Sequence, residues 1–573
     1  MSPTHTSTPP WAKVYPDDLD WGMDPIVKPI YALLDEAAEN KPNGVCIDFL
    51  DRHHTFADMR NLANRTARGL QQLGVRPGER VGLCLPNTPY YLAAYFGALK
   101  AGAVVVNVNP IYTEEEIHDL IVNAEISVMF TLGLRQLHPK VAAALKDTPL
   151  RNIIVCSLSE ALPTVKGLLF QTFKRGEIAE APRNLQNLPF DWLVRNQGTF
   201  DPIPIDPSET VALLQYTGGT TGIPKGAMLT HANIMSNTEQ VCRWLPKDMR
   251  DQESILAVLP FFHVFAMTVV MCLGLRIRAR QILLPRFDLD EVLKTINQKK
   301  PTLFPAVPTI YGAINGHKHL ERFDLTSIRY CISGGAPLAH DTKTSFEKLT
   351  GCVLVEGYGL SEASPVVCCN PPWGENKDGS IGIPLPGTNI EIRDLNNPAK
   401  TVPEGARGEI VVCGPQVMKG YWQNDDATKE VLDGPCLHTG DIGHMDEDGY
   451  VFLTDRIKDV IISNGYNIYP RLIEEVLYKH PDVMEVVVIG IPHGYRGEAP
   501  KAFIRLSPGS KTTADDLQAF CADHLNPLER PDTIEFREEL PKTLIGKLSK
   551  KELIEEERAK RAQSETEGEL HHG

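Results

Sequence analysis

From Tyr216 the chain reads Tyr-Thr-Gly-Gly-Thr-Thr-Gly-Ile-Pro-Lys225, residue types suited to holding a polyanion. Gly218, Gly219 and Gly222 permit tight backbone whose N–H groups converge on an anion. The hydroxyls of Thr217, Thr220 and Thr221 add donors, and Lys225 adds a charge for the outer phosphates of a nucleotide. The spacing is not that of a Walker A loop, in which Gly-Lys-Ser/Thr leads into a helix. Here Ile223 and Pro224 separate the last glycine from the lysine. A flexible Gly/Thr surface turn would have the same composition, so the surrounding elements must decide between the two.

Those elements favour a nucleotide crevice. The apolar run 211–216 predicts a buried strand leading into the loop. A strand at 328–332 runs into Ser333-Gly-Gly-Ala-Pro337, followed by a helix through Thr350. A further strand at 352–355 runs into Glu356-Gly-Tyr-Gly-Leu-Ser-Glu362. Glycine-rich loops at the carboxyl ends of apolar strands are where open α/β sheets bind ligands. Upstream, Thr55 and Asp58 have capping-box spacing, with Phe56, Met59, Leu62, Ala63, Leu70 and Leu73 at helical intervals. Strand 80–85, helix 90–100 and strand 103–108 form a βαβ unit and hence a parallel sheet. The alternation resumes with a helix at 288–298 and a strand at 302–306.

The chain of 573 residues is too long for one core. Its formal charge of −15 argues against general binding of nucleic acid. The 12 cysteines show no metal-ligand spacing and are expected to be free thiols. No secretory signal is evident, and the apolar run 264–275 is shorter than the roughly 20 residues of a membrane span. The expected location is therefore cytoplasmic. One segment complicates this: residues 162–176 combine Leu168, Leu169, Phe170 and Phe173 with Lys166, Lys174 and Arg175. Either a short helix packs on the body, or the segment makes a peripheral contact with the inner face of the membrane.

From about 376 to 454, short strands with Gly and Pro punctuation predict a β subdomain. Within it, strands 442–445 and 450–454 flank the turn Asp446-Glu-Asp-Gly449. If Met445 pairs with Tyr450, Asp441 faces Thr454 and Arg456 lies diagonally across on the same face. That arrangement suits either a sugar clamp or a surface ion pair. After Arg456 a small α+β domain is expected, with helices at 474–480 and 516–525 and strands at 486–489 and 502–506. Near its end, Ser549 and Glu552 form a second capping-box pattern opening a charged helix, with Lys547 on the loop before it. A lysine there gains nothing from the helix dipole, and most such lysines are merely solvated.

Together these stretches resemble the adenylate-forming superfamily of acyl-CoA synthetases, aryl-CoA ligases, luciferases and peptide-synthetase adenylation domains. The motifs that carry the resemblance occur in family order: 216–226, Pro260-Phe-Phe-His-Val-Phe265, Gly334-Gly-Ala-Pro337, 356–362, Thr439-Gly-Asp441 with Asp455-Arg-Ile-Lys-Asp459, and 541–547. Residues 433–443 through 466–470 are most similar to bacterial medium- and long-chain fatty acyl-CoA synthetases. The fold implied is α/β, with a large N-terminal domain of βαβ-type sheets plus a β subdomain (1–454). A hinge (455–460) and a small mobile α+β C-terminal domain (461–573) follow.

The resemblance also implies roles. Thr217, Gly218, Gly219, Thr220, Thr221, Gly222 and Lys225 would hold the ATP phosphates, with Thr217 and Glu362 near Mg2+. Gly334, Gly335, Ala336, Glu356, Gly357, Tyr358, Gly359 and Ser361 would line the adenine pocket. Asp441 would hold the ribose beside Arg456, and Lys458 would be the hinge. Lys547 would reach the carboxylate and α-phosphate, and His263 would gate the acyl channel. The substrates implied are a fatty acid, ATP and CoA, with oligomeric state left open. The rival activities are a fatty acyl-AMP ligase, an aryl-acid CoA ligase and, more remotely, an inactive binding protein on the same fold.

Overall fold

The computed structural model describes residues 8–181, 184–217, 224–251, 253–464, 466–542 and 548–570, with side chains described through 561. The chain divides into two compact units: 1–390 with 412–437 and 448–450, and 391–411 with 438–447 and 451–573.

In the first unit, the strand that leads into the phosphate loop belongs to an eight-stranded sheet. Its order is Gly420–Tyr421, Lys225–Thr230, Val211–Thr217, Val104–Asn107, Arg80–Cys84, Ile126–Leu132, Asn152–Cys156 and Asn187–Pro189. The last six run parallel. Their apolar character follows from cover on both faces: every residue of Val104–Asn107 and Ile126–Leu132 is buried. The expected βαβ unit is present, with helix Pro89–Lys100 buried throughout and Arg80 in register with Val104. Helix Phe56–Gln72 begins with the reciprocal capping box of Thr55 and Asp58 and buries Phe56, Met59, Ala63, Ala67 and Leu70.

A second sheet joins Arg52–Thr55, Val45–Phe49, Arg280–Leu283 and Ser254–Ala257. It continues through single bridges at Leu303 to Tyr330–Ser333, which runs parallel to Val353–Gly359. The strand expected at 302–306 is thus reduced to bridges at Leu303 and Ala306. Glu356, Gly357, Tyr358 and Gly359 lie within a strand rather than in a loop after it. The chain stays extended there because a third strand, Val366–Cys369, pairs back against Gly357, Tyr358 and Gly359.

The expectation of free thiols throughout needs correction. Cys413 and Cys436 form a disulfide, while the other ten cysteines are free. Their strands neighbour each other across 23 residues of sequence, which spacing alone does not reveal. Of the two readings left open for 162–176, the helix itself is present, over Thr164–Phe173, with Phe170 half-buried. Gly167 is its one buried residue, and a Cβ there would meet the Ser159 carbonyl oxygen at 2.3 Å. The helix therefore approaches the body through glycine, leaving Val165, Leu168 and Phe173 at 71%, 63% and 81% exposure. Among the described residues, no helix is long and apolar enough to cross a membrane.

The second unit carries the sheet Tyr466–Ile468, Ile461–Ser463, Gly497–Leu506 and Val483–His493, with Thr533–Phe536 added parallel to Gly497–Leu506. Alternation along Val483–His493 serves two cores. Val486 and Val488 face Ile473, Leu477 and Leu517, whereas Val487 and Ile489 face Leu540 and Leu553. The helix expected at 474–480 begins earlier and spans Pro470–Leu477. Proline at its first position has its φ preset for a helix and needs no N–H there.

Candidate active site

The motif expected to hold phosphates lies between two paired antiparallel strands, in contrast to the strand-to-helix order of a Walker loop. Val211–Thr217 pairs with Lys225–Thr230, and Thr217 stands directly across from Lys225. The Thr217 hydroxyl donates to the Lys225 carbonyl at 3.4 Å. Gly218, Gly219, Thr220, Thr221 and Gly222 lie outside the described residues. At Gly226 a Cβ would sit 3.0 Å from the Tyr216 ring, a tight fit.

Glu362 reaches this hairpin from the 3-10 turn Ser361–Ala363, which packs on both of its strands. Its carbonyl accepts from Met418 N–H at 2.7 Å. Its carboxylate Oε1 accepts from the Tyr421 hydroxyl at 2.8 Å. The Tyr421 ring lies 5.3 Å from Lys225 Nζ. Burial first, and then the Glu362 carboxylate, push the Tyr421 phenol above its ordinary range and keep it a donor. Tyr421 was not evident in the sequence. The only signal was a glycine and an aromatic in a punctuated segment, and pairing of Tyr421 with Ala227 supplies the rest.

The two motifs expected to line the adenine pocket lie at neighbouring parallel strands, where Ser333 is in register with Glu356. Gly335 adopts φ +89°, a region that favours glycine. At Gly334 a Cβ would lie 3.1 Å from the Phe265 ring, and at Gly359 one would lie 2.2 Å from the Pro365 carbonyl oxygen. At Gly359 the approach is too close for any side chain. Ala336 follows in the same loop, Tyr358 is half-buried, and the Glu356 carboxylate accepts from Leu338 N–H at 3.4 Å.

His263 caps the short helix Val264–Ala266, its Nδ1 accepting from Phe265 N–H at 3.3 Å. The turn before it is fixed by a buried polar set that sequence patterning missed. Asn87 accepts from Phe261 N–H at 2.8 Å, Tyr91 donates to the Phe261 carbonyl at 2.9 Å, and Gln215 donates to the Phe262 carbonyl at 3.3 Å. Asn107 links Tyr91 at 2.6 Å to Gln215 at 2.9 Å. Because Gln215 and Thr217 share one strand, the His263 turn and the phosphate hairpin are held by the same element. Beyond His263 the buried chain passes through a π-helical segment, Met267–Cys272. The Thr268 hydroxyl in it donates to the Ser364 carbonyl at 2.6 Å.

Asp441, Arg456 and Lys458 belong to the second unit. Met445 pairs with Val451, not with Tyr450, and the register slips again between Ile442 and Gly443. Thr454 is thereby left as the extra residue of a bulge, and Asp441 pairs directly with Arg456. Arg456 Nε lies 3.2 Å from Asp441 Oδ1. Lys458 lies in the 3-10 turn Ile457–Asp459. Just before it, the Asp455 carboxylate accepts from the N–H groups of Arg456 and Arg471, both at 2.8 Å. Burial nevertheless raises the pKa of Asp455. Lys547 lies outside the described residues, and the helix expected after it spans Lys550–Leu570.

Thr217 and Lys225 facing each other at a hairpin end, with the turn that carries Glu362 packed on both strands and glycine-lined strands among the same elements, suit the binding of a nucleotide by an α/β enzyme. Residues 34–422 match the family described as AMP-binding enzyme, and residues 472–547 match the AMP-binding enzyme C-terminal domain. The chain belongs to the AMP-binding enzyme family. It is 43% identical to a long-chain-fatty-acid–CoA ligase of Bacillus subtilis, covering 96% of this chain and 98% of that one. It is 36% identical to a long-chain-fatty-acid–CoA ligase of Salmonella typhimurium, with 96% and 98% covered. Among solved structures, an anthranilate CoA ligase in complex with anthranoyl-AMP superimposes with a TM-score of 0.84 at 26% identity, covering 95% of this chain and 100% of that one.

Proposed function

We propose that this enzyme is an ATP-dependent acid–thiol ligase that activates a medium- or long-chain fatty acid. The reaction class is carried by the gathering of Thr217, Lys225 and Glu362 at one hairpin end. The acyl substrate follows from full-length similarity to long-chain ligases. A carboxylate oxygen attacks the α-phosphorus of ATP, and the bond to pyrophosphate breaks, leaving acyl-AMP. The thiolate of CoA then attacks the acyl carbonyl carbon, and the bond to AMP breaks. Positioning and electrostatics carry the first step.

In this account 217–222 and Lys225 bind the phosphates. Gly334, Gly335, Ala336, 356–359 and Ser361 receive adenine, and Asp441 accepts the ribose hydroxyls beside Arg456. Lys547 bridges carboxylate and α-phosphate, and His263 stands at the mouth of the acyl channel. Residues 455–460 form the hinge about which 461–573 turns between the two steps, with Lys458 at its centre. Mg2+ fits the chain's own groups, since Thr217 and Glu362 offer only oxygen donors. Among the described residues no cluster of three or more His, Cys, Asp or Glu could cage a metal, in keeping with an ion held largely by nucleotide phosphates. Bound there, it would neutralise phosphate charge. The test is mass spectrometry of the products: acyl-AMP with ATP and fatty acid alone, acyl-CoA once CoA is added. An acyl-AMP that CoA never consumes would instead identify an acyl-AMP ligase.

We further propose that helix Thr164–Phe173 meets the membrane surface. The outward Val165, Leu168, Leu169 and Phe173 support this. Lys166 and Lys174 flank them, each also paired, to Asp51 and Glu177. Leu168→Ser with Phe173→Ser is expected to abolish co-sedimentation with anionic vesicles. Undiminished sedimentation would refute the contact.

A further inference from the structure

Tyr421 touches two residues of the phosphate site at once. Its hydroxyl donates to Glu362 Oε1 at 2.8 Å, and its ring lies 5.3 Å from the ammonium of Lys225. These are the site's anionic and cationic groups, and they come from segments more than a hundred residues apart. Tyr421 is 7% exposed and held rigidly. Its own N–H donates to the Thr428 hydroxyl at 2.9 Å, and the next residue's N–H donates to the Gly226 carbonyl at 2.8 Å. Trp422 Nε1 adds a bond to the Asn123 carbonyl at 3.1 Å. Gly420 precedes it at φ +147°, where a Cβ would meet Thr428 at 2.8 Å. Glycine is therefore required for the short strand to seat Tyr421 against Ala227.

A carboxylate that contacts a phosphate-bound cation must offer one oxygen in a fixed direction. Free rotation of the Glu362 side chain would otherwise be lost at each binding event. We propose that Tyr421 is a positioning residue for the adenylation step, orienting Glu362 toward the cation through its hydroxyl and seating Lys225 against its ring face. This rests on the assignment of Glu362 to the metal.

The two contacts separate by mutation. Tyr421→Phe removes the hydroxyl and keeps the ring, whereas Tyr421→Leu removes both. The readouts are Mn2+ affinity in the presence of a non-hydrolysable ATP analogue, followed by electron paramagnetic resonance, and affinity for the analogue with EDTA, followed by calorimetry. Loss of a hydrogen bond to a charged group predicts about a tenfold weaker Mn2+ affinity in Tyr421→Phe, with metal-free analogue binding unchanged. Tyr421→Leu is expected to weaken metal-free binding as well, through Lys225. Thioester formation from supplied acyl-AMP, which needs neither metal nor outer phosphates, should persist in both and reports that the protein is folded. Equal losses with and without metal in Tyr421→Phe, or no loss, would overturn the proposal. Glu362→Gln is measured in parallel. If it weakens Mn2+ binding while Tyr421→Phe does not, only Tyr421's role fails. If it leaves Mn2+ binding unchanged, the metal assignment fails and the proposal with it.

Discussion

Asp441 and Arg456 stand opposite each other in a hairpin because the chain spends one extra residue, Thr454, in a bulge between them and the turn. Asp441 is 4% exposed, whereas the Arg456 side chain is 56% exposed. Water screens the Arg456 end of the pair, so its attraction for Asp441 adds little to the stability of the fold. Asp441→Asn should therefore leave the melting temperature nearly unchanged. Losing a charged acceptor for ribose hydroxyls should raise KM for ATP by about tenfold or more. A fall in melting temperature without a change in KM would make the pair structural.

His231 couples stability to pH. It opens helix His231–Trp244, is buried, and accepts from Ile30 N–H through Nδ1 at 3.2 Å. Burial lowers its pKa to about 4. Between that value and the ordinary 6.5, the unfolded chain binds the proton and the folded chain does not. Stability is then complete above 6.5 and declines as pH falls toward 4. The contribution lost is roughly 3 kcal/mol at most. Denaturation midpoints measured across this window should fall less steeply for His231→Asn than for the parent, and parallel curves would contradict the linkage.

Lys547 should separate the half-reactions. Lys547→Ala is expected to cut pyrophosphate release by about a hundredfold or more, the scale of losing one charge-stabilising donor. Thioester formation from supplied acyl-AMP should survive. Lys458→Pro is expected to do the opposite, impairing the second step more than the first. Equal loss in both steps would remove the role assigned to either residue.

What the sequence revealed depended on how local the cause was. The capping box at Thr55 and the βαβ unit around Pro89–Lys100 rest on neighbours along the chain, and both appear as expected. Pairing across strands was less legible. Nothing near Asp446 announces the bulge at Thr454, although the two one-residue slips together return Arg456 to the face of Asp441. Gly357 and Gly359 read as a loop because glycine is rare in strands, yet the partner Val366–Cys369 keeps them extended. The bridge from Tyr421 to Glu362, the polar set of Asn87, Tyr91, Asn107 and Gln215, and the disulfide of Cys413 with Cys436 join distant segments. Periodicity holds no record of such contacts.

The central claim is tested most directly by AMP release from ATP across a ladder of carboxylic acids. The ladder runs from short to long chains with cinnamate-type acids added, each with and without CoA. The account predicts turnover that requires CoA and peaks at medium or long chains. Turnover confined to aryl acids, or acyl-AMP accumulating with no dependence on CoA, would contradict it.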